Sequence, residues 1–137
     1  METRSEQRPR FLKWVLALGG AYEVLMGAVL LFFIRDFFRL LAVEAAIGNP
    51  IFARTSGVLA VAFGLLLLGA SRDPARYLLV PLISIALRVL IQVPIILGIR
   101  EIPALTYPLI GFGAVDLAWA ALTFLALRAA GLNWRDA

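Results

Sequence analysis

The sequence contains no cysteine and no histidine among its 137 residues. Without cysteine, the chain can form no disulfide and can supply no thiolate for catalysis, zinc or an iron–sulfur cluster. Without histidine, it lacks the usual haem ligand, the usual general base near neutral pH and the commonest transition-metal ligand. The nine acidic residues, most of them scattered in predicted loops, are a poor supply of ligands for hard cations. The sequence therefore predicts no metal site and no cofactor.

Charged residues are also scarce. They make up 16% of the chain, against roughly 25% in an ordinary soluble domain, whereas 62% of the residues are hydrophobic. This balance excludes a disordered protein and makes a soluble globular domain improbable. A bilayer span needs about 20 mostly apolar residues, so four spans would take roughly 80 and leave the rest for short loops and tails. We predict an all-α polytopic membrane protein with a single domain, a bundle of four transmembrane helices.

Four apolar segments divide the chain. We expect the spans near 12–34, 51–70, 76–99 and 105–127, within a transmembrane domain 12–128. Residues 1–11 read as a basic cytoplasmic arm and 129–137 as a cytoplasmic tail. The first apolar run is too long for a signal peptide and no cleavage pattern follows it, so we expect it to remain as an anchor. The segment 36–47 is a candidate interfacial helix.

Proline and capping residues mark the expected helix boundaries. Gly48-Asn49-Pro50 suits the end of one helix and the start of the next, because glycine accepts a left-handed C-cap and proline needs no donor in a first turn. Asp73 is the expected N-cap of the third span. Pro94 cannot donate a hydrogen bond to the Leu90 carbonyl and predicts a kink in that span.

Basic residues are distributed unevenly over the predicted loops and tails. With the N-terminus inside, the cytoplasmic parts carry eight of them: Arg4, Arg8, Arg10, Lys13, Arg72, Arg76, Arg128 and Arg135. The opposite side carries three or four: Arg35, Arg39, Arg100 and, at its edge, Arg54. The positive-inside rule therefore places both termini in the cytoplasm. The same bias accounts for the net charge of +4, so we expect no nucleic-acid partner. We expect the protein in the cell inner membrane.

The predicted spans contain ionisable residues where a bilayer makes charge expensive. Glu23, Arg88 and Asp116 lie near the middle of the first, third and fourth spans, and Arg54 lies near the outer end of the second. A charge at the bilayer centre costs about 2.5–3.5 kcal/mol on insertion scales. Three unpaired charges would therefore cost about as much as the stability of a whole domain. We expect these side chains to face the bundle interior rather than lipid.

Helical spacing supports an interior position, since residues at i, i+3, i+4 and i+7 share one face. Each ionisable residue shares its face with small or polar residues, which close helix packing in lipid prefers. These sets are Glu23 with Gly20 and Gly27; Arg54 with Gly57, Val61 and Gly64; Arg88 with Ser84 and Gln92; and Asp116 with Gly113, Ala120 and Thr123. The four faces are predicted to converge, so that two acids and two arginines sum to zero charge.

Two interpretations of this polar group stay open. It is either a buried pin that fixes which helices face each other, or a polar pocket that handles a proton or a ligand. For Arg54 a side chain that extends to the outer headgroups is an alternative. Tyr22 and Trp119 flank the acids and either donate to a carboxylate or a bound polar group, or serve only as packing units.

Two segments resemble a widespread family of small bacterial four-helix membrane proteins. Residues 54–76 (RTSGVLAVAFGLLLLGASRDPAR) are similar to that family's second helix and RDP turn. Residues 113–127 (GAVDLAWAALTFLAL) are similar to its last helix, where Gly-Asp-Leu precedes Trp-Ala, although here Ala-Val separates glycine from aspartate. A more distant resemblance is to DoxX-like four-helix proteins, some of which accompany quinone-linked oxidoreductases. The resemblance implies the fold and marks Arg54, Gly57, Gly64, Arg72, Asp73, Pro74, Asp116 and Trp119.

No catalytic set is recognisable, so the sequence leans away from an enzyme. We expect an accessory subunit or a bundle that binds a hydrophobic ligand such as a lipid, isoprenoid or quinone. The expected partners are the lipid bilayer and either a larger membrane complex or a second copy of the chain. Two alternatives remain: a proton-coupled small-molecule transporter that acts as a dimer, and a membrane enzyme that uses carboxylate acid–base chemistry.

The stretch from Gly19 to Glu23 also resembles the first helix of small multidrug-resistance transporters, whose membrane-embedded glutamate exchanges protons for cationic drugs. Their aromatic-glycine signature in the third helix is missing here. Arg88 occupies the corresponding interior and would repel a cationic substrate. The sequence therefore does not favour that family.

Overall fold

The computed structural model describes residues 4–42 and 49–132, with the backbone alone for 4–9. Within these ranges the chain forms six α-helices and no strand, which confirms the predicted all-α class. A short 3-10 turn, Pro103–Leu105, precedes the last helix. The helices are α1 (Arg4–Phe32), α2 (Ile34–Leu40), α3 (Ile51–Ala70), α4 (Leu79–Leu90), α5 (Gln92–Glu101) and α6 (Thr106–Ala129).

Four helical segments are long and apolar enough to cross a membrane, as the composition predicts. They are Arg10–Phe32, Ile51–Ala70, Leu79–Glu101 and Pro103–Ala129, with lengths of 20 to 27 residues. Each keeps large apolar side chains at its surface: Leu25, Leu59, Leu90 and Leu125 are 60% to 66% exposed. A soluble monomer rarely shows apolar surface on this scale.

The helix boundaries differ from the predicted ones in places. The second span coincides with its expected range, but α1 begins at Arg4, so part of the predicted N-terminal arm is helical. Asp73 does cap a turn, since its Oδ1 accepts the Arg76 backbone N–H at 3.3 Å. That turn precedes the third span, and regular helix starts only at Leu79. The side chain of Asn49 caps the start of α3 by accepting the Ile51 N–H at 3.0 Å.

The predicted interfacial helix is shorter than expected and begins earlier. It extends from Ile34 to Leu40, and Ala42 then adopts a left-handed backbone with φ of 57°. Of the predicted segment 36–47, residues 43–47 lie outside the described residues. The helix docks on the bundle, because Ile34 is buried and the Phe37 ring lies 5.9 Å from that of Phe112 in α6.

The third span is interrupted at Ile91, between α4 and α5. The Ile91 N–H still bonds to the Leu87 carbonyl at 2.9 Å, and the Ile95 N–H bonds to the Ile91 carbonyl at 3.3 Å. Between these two bonds, the Leu90 carbonyl has lost its donor, because its partner would be the missing N–H of Pro94. The interruption therefore lies where Pro94 predicts a disturbance.

The closest helix pair, α1 and α3, packs through two pairs of glycines. A Cβ added to Gly20 would lie 2.7 Å from the Gly64 carbonyl oxygen, and one added to Gly27 would lie 2.6 Å from that of Gly57. A Cβ added to the other glycine of each pair would lie at the same distance within 0.1 Å. Because the earlier glycine of α1 meets the later glycine of α3, the two helices are antiparallel. Small residues of this kind allow two backbones to touch in lipid.

The buried apolar core occupies one end of the bundle, where the first span starts and where α3 and α6 end. We call this the core end. Its buried residues are Leu12, Val15, Leu16, Leu67, Leu78, Ala126 and Leu127. Residues of α6 pair in antiparallel order with those of α4 and α5, so the centres of the spans lie at a common level.

Substitution of Gly27 by alanine tests the glycine pairing. The new methyl group would overlap the Gly57 carbonyl, and we expect a loss of about 1–3 kcal/mol in the free energy of unfolding. Gly111→Ala is the matched control, because nothing lies within 4 Å of a Cβ at that position and alanine is the better helix former. Thermal unfolding in mild detergent, followed by circular dichroism, measures both. Equal melting temperatures for the two variants would contradict the pairing.

Candidate functional site

The three ionisable residues at the centres of the predicted spans also lie at the centres of the observed ones. Asp116 is the central residue of Pro103–Ala129, and Glu23 and Arg88 lie within two residues of the centres of their spans. Glu23 belongs to α1, Arg88 to α4 and Asp116 to α6. Because neighbouring helices are antiparallel, these central positions meet at one depth.

The Arg88 guanidinium joins the two carboxylates. Its Nη1 donates to Asp116 Oδ1 at 2.5 Å, and its Nη2 donates to Glu23 Oε1 at 2.5 Å. The Arg88 side chain is 4% exposed, whereas those of Glu23 and Asp116 are 17% and 22% exposed. We call Glu23, Arg88 and Asp116 the Arg88 cluster. It ties α1, α4 and α6 together through charge-assisted hydrogen bonds, which are about twice as strong as neutral ones.

Arg54 does not join this cluster, so the expected convergence of four ionisable residues into a neutral set is wrong. Its side chain is exposed and forms no ion pair with any residue of the described ranges. The face of α3 that carries Gly57 and Gly64 is used against α1, at a separation that leaves no room for a long side chain. The Arg88 cluster therefore carries two negative charges and one positive charge.

Gln92 lies one turn after Arg88 and attaches α5 to α6. Its Nε2 donates to the Arg88 carbonyl at 3.0 Å and to the Gly113 carbonyl at 3.4 Å. Gly113 lies directly opposite this side chain, since a Cβ there would be 2.7 Å from Gln92 Oε1 and the amide would have to shift. Gln92 thus satisfies backbone groups beside the helix interruption and does not contact a carboxylate.

Tyr22 and Trp119 lie beside the acids and pack against each other. Their ring centroids are 6.2 Å apart with planes inclined by 30°, and a Cβ at Gly19 would contact the Trp119 ring at 3.7 Å. Among the described side chains, neither ring group donates a hydrogen bond to Glu23 or Asp116. The two aromatic residues therefore act here as packing units.

The Arg88 cluster has unused acceptor capacity. Arg88 bonds to one oxygen of each acid, and in the described part of the chain Glu23 Oε2 and Asp116 Oδ2 accept no further hydrogen bond. Both acids are partly exposed. An unsatisfied carboxylate oxygen in apolar surroundings is costly. The cluster can therefore accept a proton, or a hydrogen bond from a bound molecule with a donor group.

Three surface cavities lie at the core end, away from the Arg88 cluster. Their volumes are about 420, 430 and 260 Å³, and none of the three is lined by a residue of the cluster. Arg72 and Arg76 line the first of them. From the sequence both arginines are expected to orient the spans, and the family resemblance also marks Arg72, but no cavity is predicted beside them. The cavity depends on the path of the turn from Ser71 to Leu78, for which the sequence offers no periodic signal.

No protein-family model, curated protein or solved structure matches this chain. The resemblance to small bacterial four-helix membrane proteins and to DoxX-like proteins therefore stays a prediction.

Removal of Arg88 alone tests how strongly the cluster depends on its cation. Arg88→Met leaves two carboxylates that face each other across a gap, and we expect a loss of about 3–5 kcal/mol in the free energy of unfolding. The triple variant Glu23→Gln, Arg88→Met, Asp116→Asn removes all three charges and should regain most of that loss. Unfolding in mild detergent measures both variants.

Arg100→Met is the control for loss of an arginine as such, because Arg100 is exposed in the last turn of α5. It should leave the unfolding midpoint unchanged. If the Arg88 variant is as stable as this control, the ion pairs do not hold the bundle together.

Proposed function

We propose that this chain is a multi-pass protein of the bacterial inner membrane with both termini in the cytoplasm. The four apolar spans and their exposed leucines support insertion into a bilayer. The orientation is supported by the basic residues at the core end, namely Arg10, Lys13, Arg72, Arg76 and Arg128, which outnumber those at the opposite end.

In this membrane the protein acts as an accessory subunit or binding module for a hydrophobic molecule. The observation that carries this proposal is the Arg88 cluster, in which two partly exposed carboxylates share one arginine and each keeps an oxygen to which no described residue donates. A molecule with a hydroxyl group and an apolar tail matches both parts of the site. Its hydroxyl donates to a free carboxylate oxygen, and its tail lies along the apolar helix faces.

The chemistry narrows the class of ligand. Quinols, isoprenoid alcohols and lipids with hydroxyl groups can donate a hydrogen bond to the carboxylate oxygens that Arg88 leaves free, whereas an oxidised quinone carries only acceptors and cannot. The proposed ligand is therefore a hydroxyl-bearing lipid, isoprenoid or reduced quinone.

Native mass spectrometry after gentle solubilisation tests the proposal. We expect the wild-type chain to retain a hydrophobic molecule or a partner protein, and Glu23→Gln to lose it because the amide presents its own donors to the site. Glu101→Gln is the matched control, because Glu101 is exposed at the end of α5, and it should retain the bound molecule. A bare wild-type monomer, or equal retention by both variants, would contradict the proposal.

The negative excess of the Arg88 cluster favours a second candidate, proton-coupled transport. Two carboxylates beside one guanidinium at mid-span can share a proton, since protonation of one acid would neutralise the cluster. Four helices are few for a transport path within one chain, so this function requires a dimer.

Proteoliposomes with an internal pH dye separate the two candidates. Under an imposed pH gradient, a transporter should show pH-dependent flux that Glu23→Gln abolishes while the helix content stays unchanged, whereas a binding module shows no flux above that of empty vesicles. Glu101→Gln should behave as the wild type does in either case. Flux that persists in Glu23→Gln would argue against Glu23 as the carrier.

A further inference from the structure

The 420 Å³ cavity at the core end combines an apolar wall with two arginines. It lies between the end of α3, the turn that follows and the start of α4. Leu65, Leu66 and Val80 form its apolar part, and Arg72 and Arg76 belong to its polar rim. A volume of this size falls in the range of small-molecule sites, about 300–1,000 Å³.

The cavity carries a net positive charge, because two arginines and one acid line it. Its acid, Asp73, accepts the backbone N–H of Arg76 at 3.3 Å and so acts as a capping residue. Within the described residues, neither Arg72 nor Arg76 forms an ion pair with a carboxylate. The Arg76 guanidinium lies over the Tyr77 ring at 5.5 Å, which holds it at the rim.

A second basic surface adjoins the first. Lys13 and Arg10 line the neighbouring 430 Å³ cavity together with Trp14 and Ser71, and Ser71 immediately precedes Arg72. This end of the bundle thus offers several cations and two interfacial aromatic residues, Trp14 and Tyr77, at the point where the apolar spans end. Arginine binds phosphate oxygens with paired, directed hydrogen bonds, and basic pockets between spans are suited to anionic headgroups.

We propose that the cavity between α3 and α4 binds the phosphate of an anionic phospholipid through Arg72 and Arg76, with an acyl chain against Leu65, Leu66 and Val80. A free phosphate ion could also bind to the two arginines, but it would make no favourable contact with the apolar wall. The wall therefore favours a phospholipid, whose acyl chain it can bind. This site is separate from the Arg88 cluster, and none of its lining residues belongs to that cluster.

The test uses the full chain in mild neutral detergent and two probes: short-chain phosphatidylmethanol, an anionic phospholipid without a headgroup hydroxyl, and inorganic phosphate. We expect the phospholipid to raise the melting temperature in a saturable way and phosphate at the same concentration to leave it unchanged. The double variant Arg72→Gln, Arg76→Gln should bind the phospholipid about 30-fold more weakly. Arg100→Gln, at the opposite end of the bundle, should bind as the wild type does.

Other outcomes overturn the proposal or part of it. An equal response to inorganic phosphate would replace the lipid by a soluble anion, and an unchanged affinity in the double variant would place the lipid elsewhere. The variant Arg72→Lys, Arg76→Lys keeps both charges and, if the site is built on arginine geometry, should fall between the wild type and the double glutamine variant. Glu23→Gln should leave the phospholipid response intact, so that this result is independent of any ligand at the Arg88 cluster.

Discussion

The ion pairs of Arg88 join three helices at the centre of this bundle. One guanidinium with a 4% exposed side chain contacts carboxylates from two other helices. In a low-dielectric interior each unpaired charge would be costly, so the three side chains favour an arrangement in which α1, α4 and α6 face one another. The pairing is incomplete in charge, because two acids share one base. A proton on either carboxylate would remove that imbalance, whereas a neutral hydrogen-bond donor would stabilise the charge without removing it.

The glycine contacts between α1 and α3 explain why the second span contributes no charge to this centre. Gly20 and Gly27 meet Gly64 and Gly57 with carbonyl oxygens where side chains would otherwise lie. Such a close approach uses up the small-residue face of α3 and leaves Arg54 exposed near the start of that helix. The described part of the bundle thus combines one interface formed by backbone contact, α1 with α3, with another that is joined by ionic contact at Arg88.

Much of this arrangement could be predicted from the sequence, because hydrophobic length and helical spacing are local properties. The range of the second span, the interruption near Pro94 and the inward position of Arg88 all follow from them. Spacing shows which residues share a face, but it does not say which helix that face meets. Spacing therefore allows Arg54 either in the polar group or at the outer headgroups, and only the packing of Gly57 and Gly64 on α1 excludes the first. Spacing also cannot predict the cavity beside Arg72 and Arg76, because that cavity depends on the path of an irregular turn.

The interruption at Ile91 gives the two segments of the third span different attachments. α4 is anchored by the ionic contacts of Arg88, whereas α5 is attached to α6 by the amide of Gln92 and by side-chain packing such as that of Gly98 on Leu109. Neutral hydrogen bonds of that kind contribute only about 0.5–1.5 kcal/mol each. A displacement of α5 about Ile91 would therefore break the bond from Gln92 to Gly113 and the packing on Leu109, while both ionic contacts of Arg88 stayed intact.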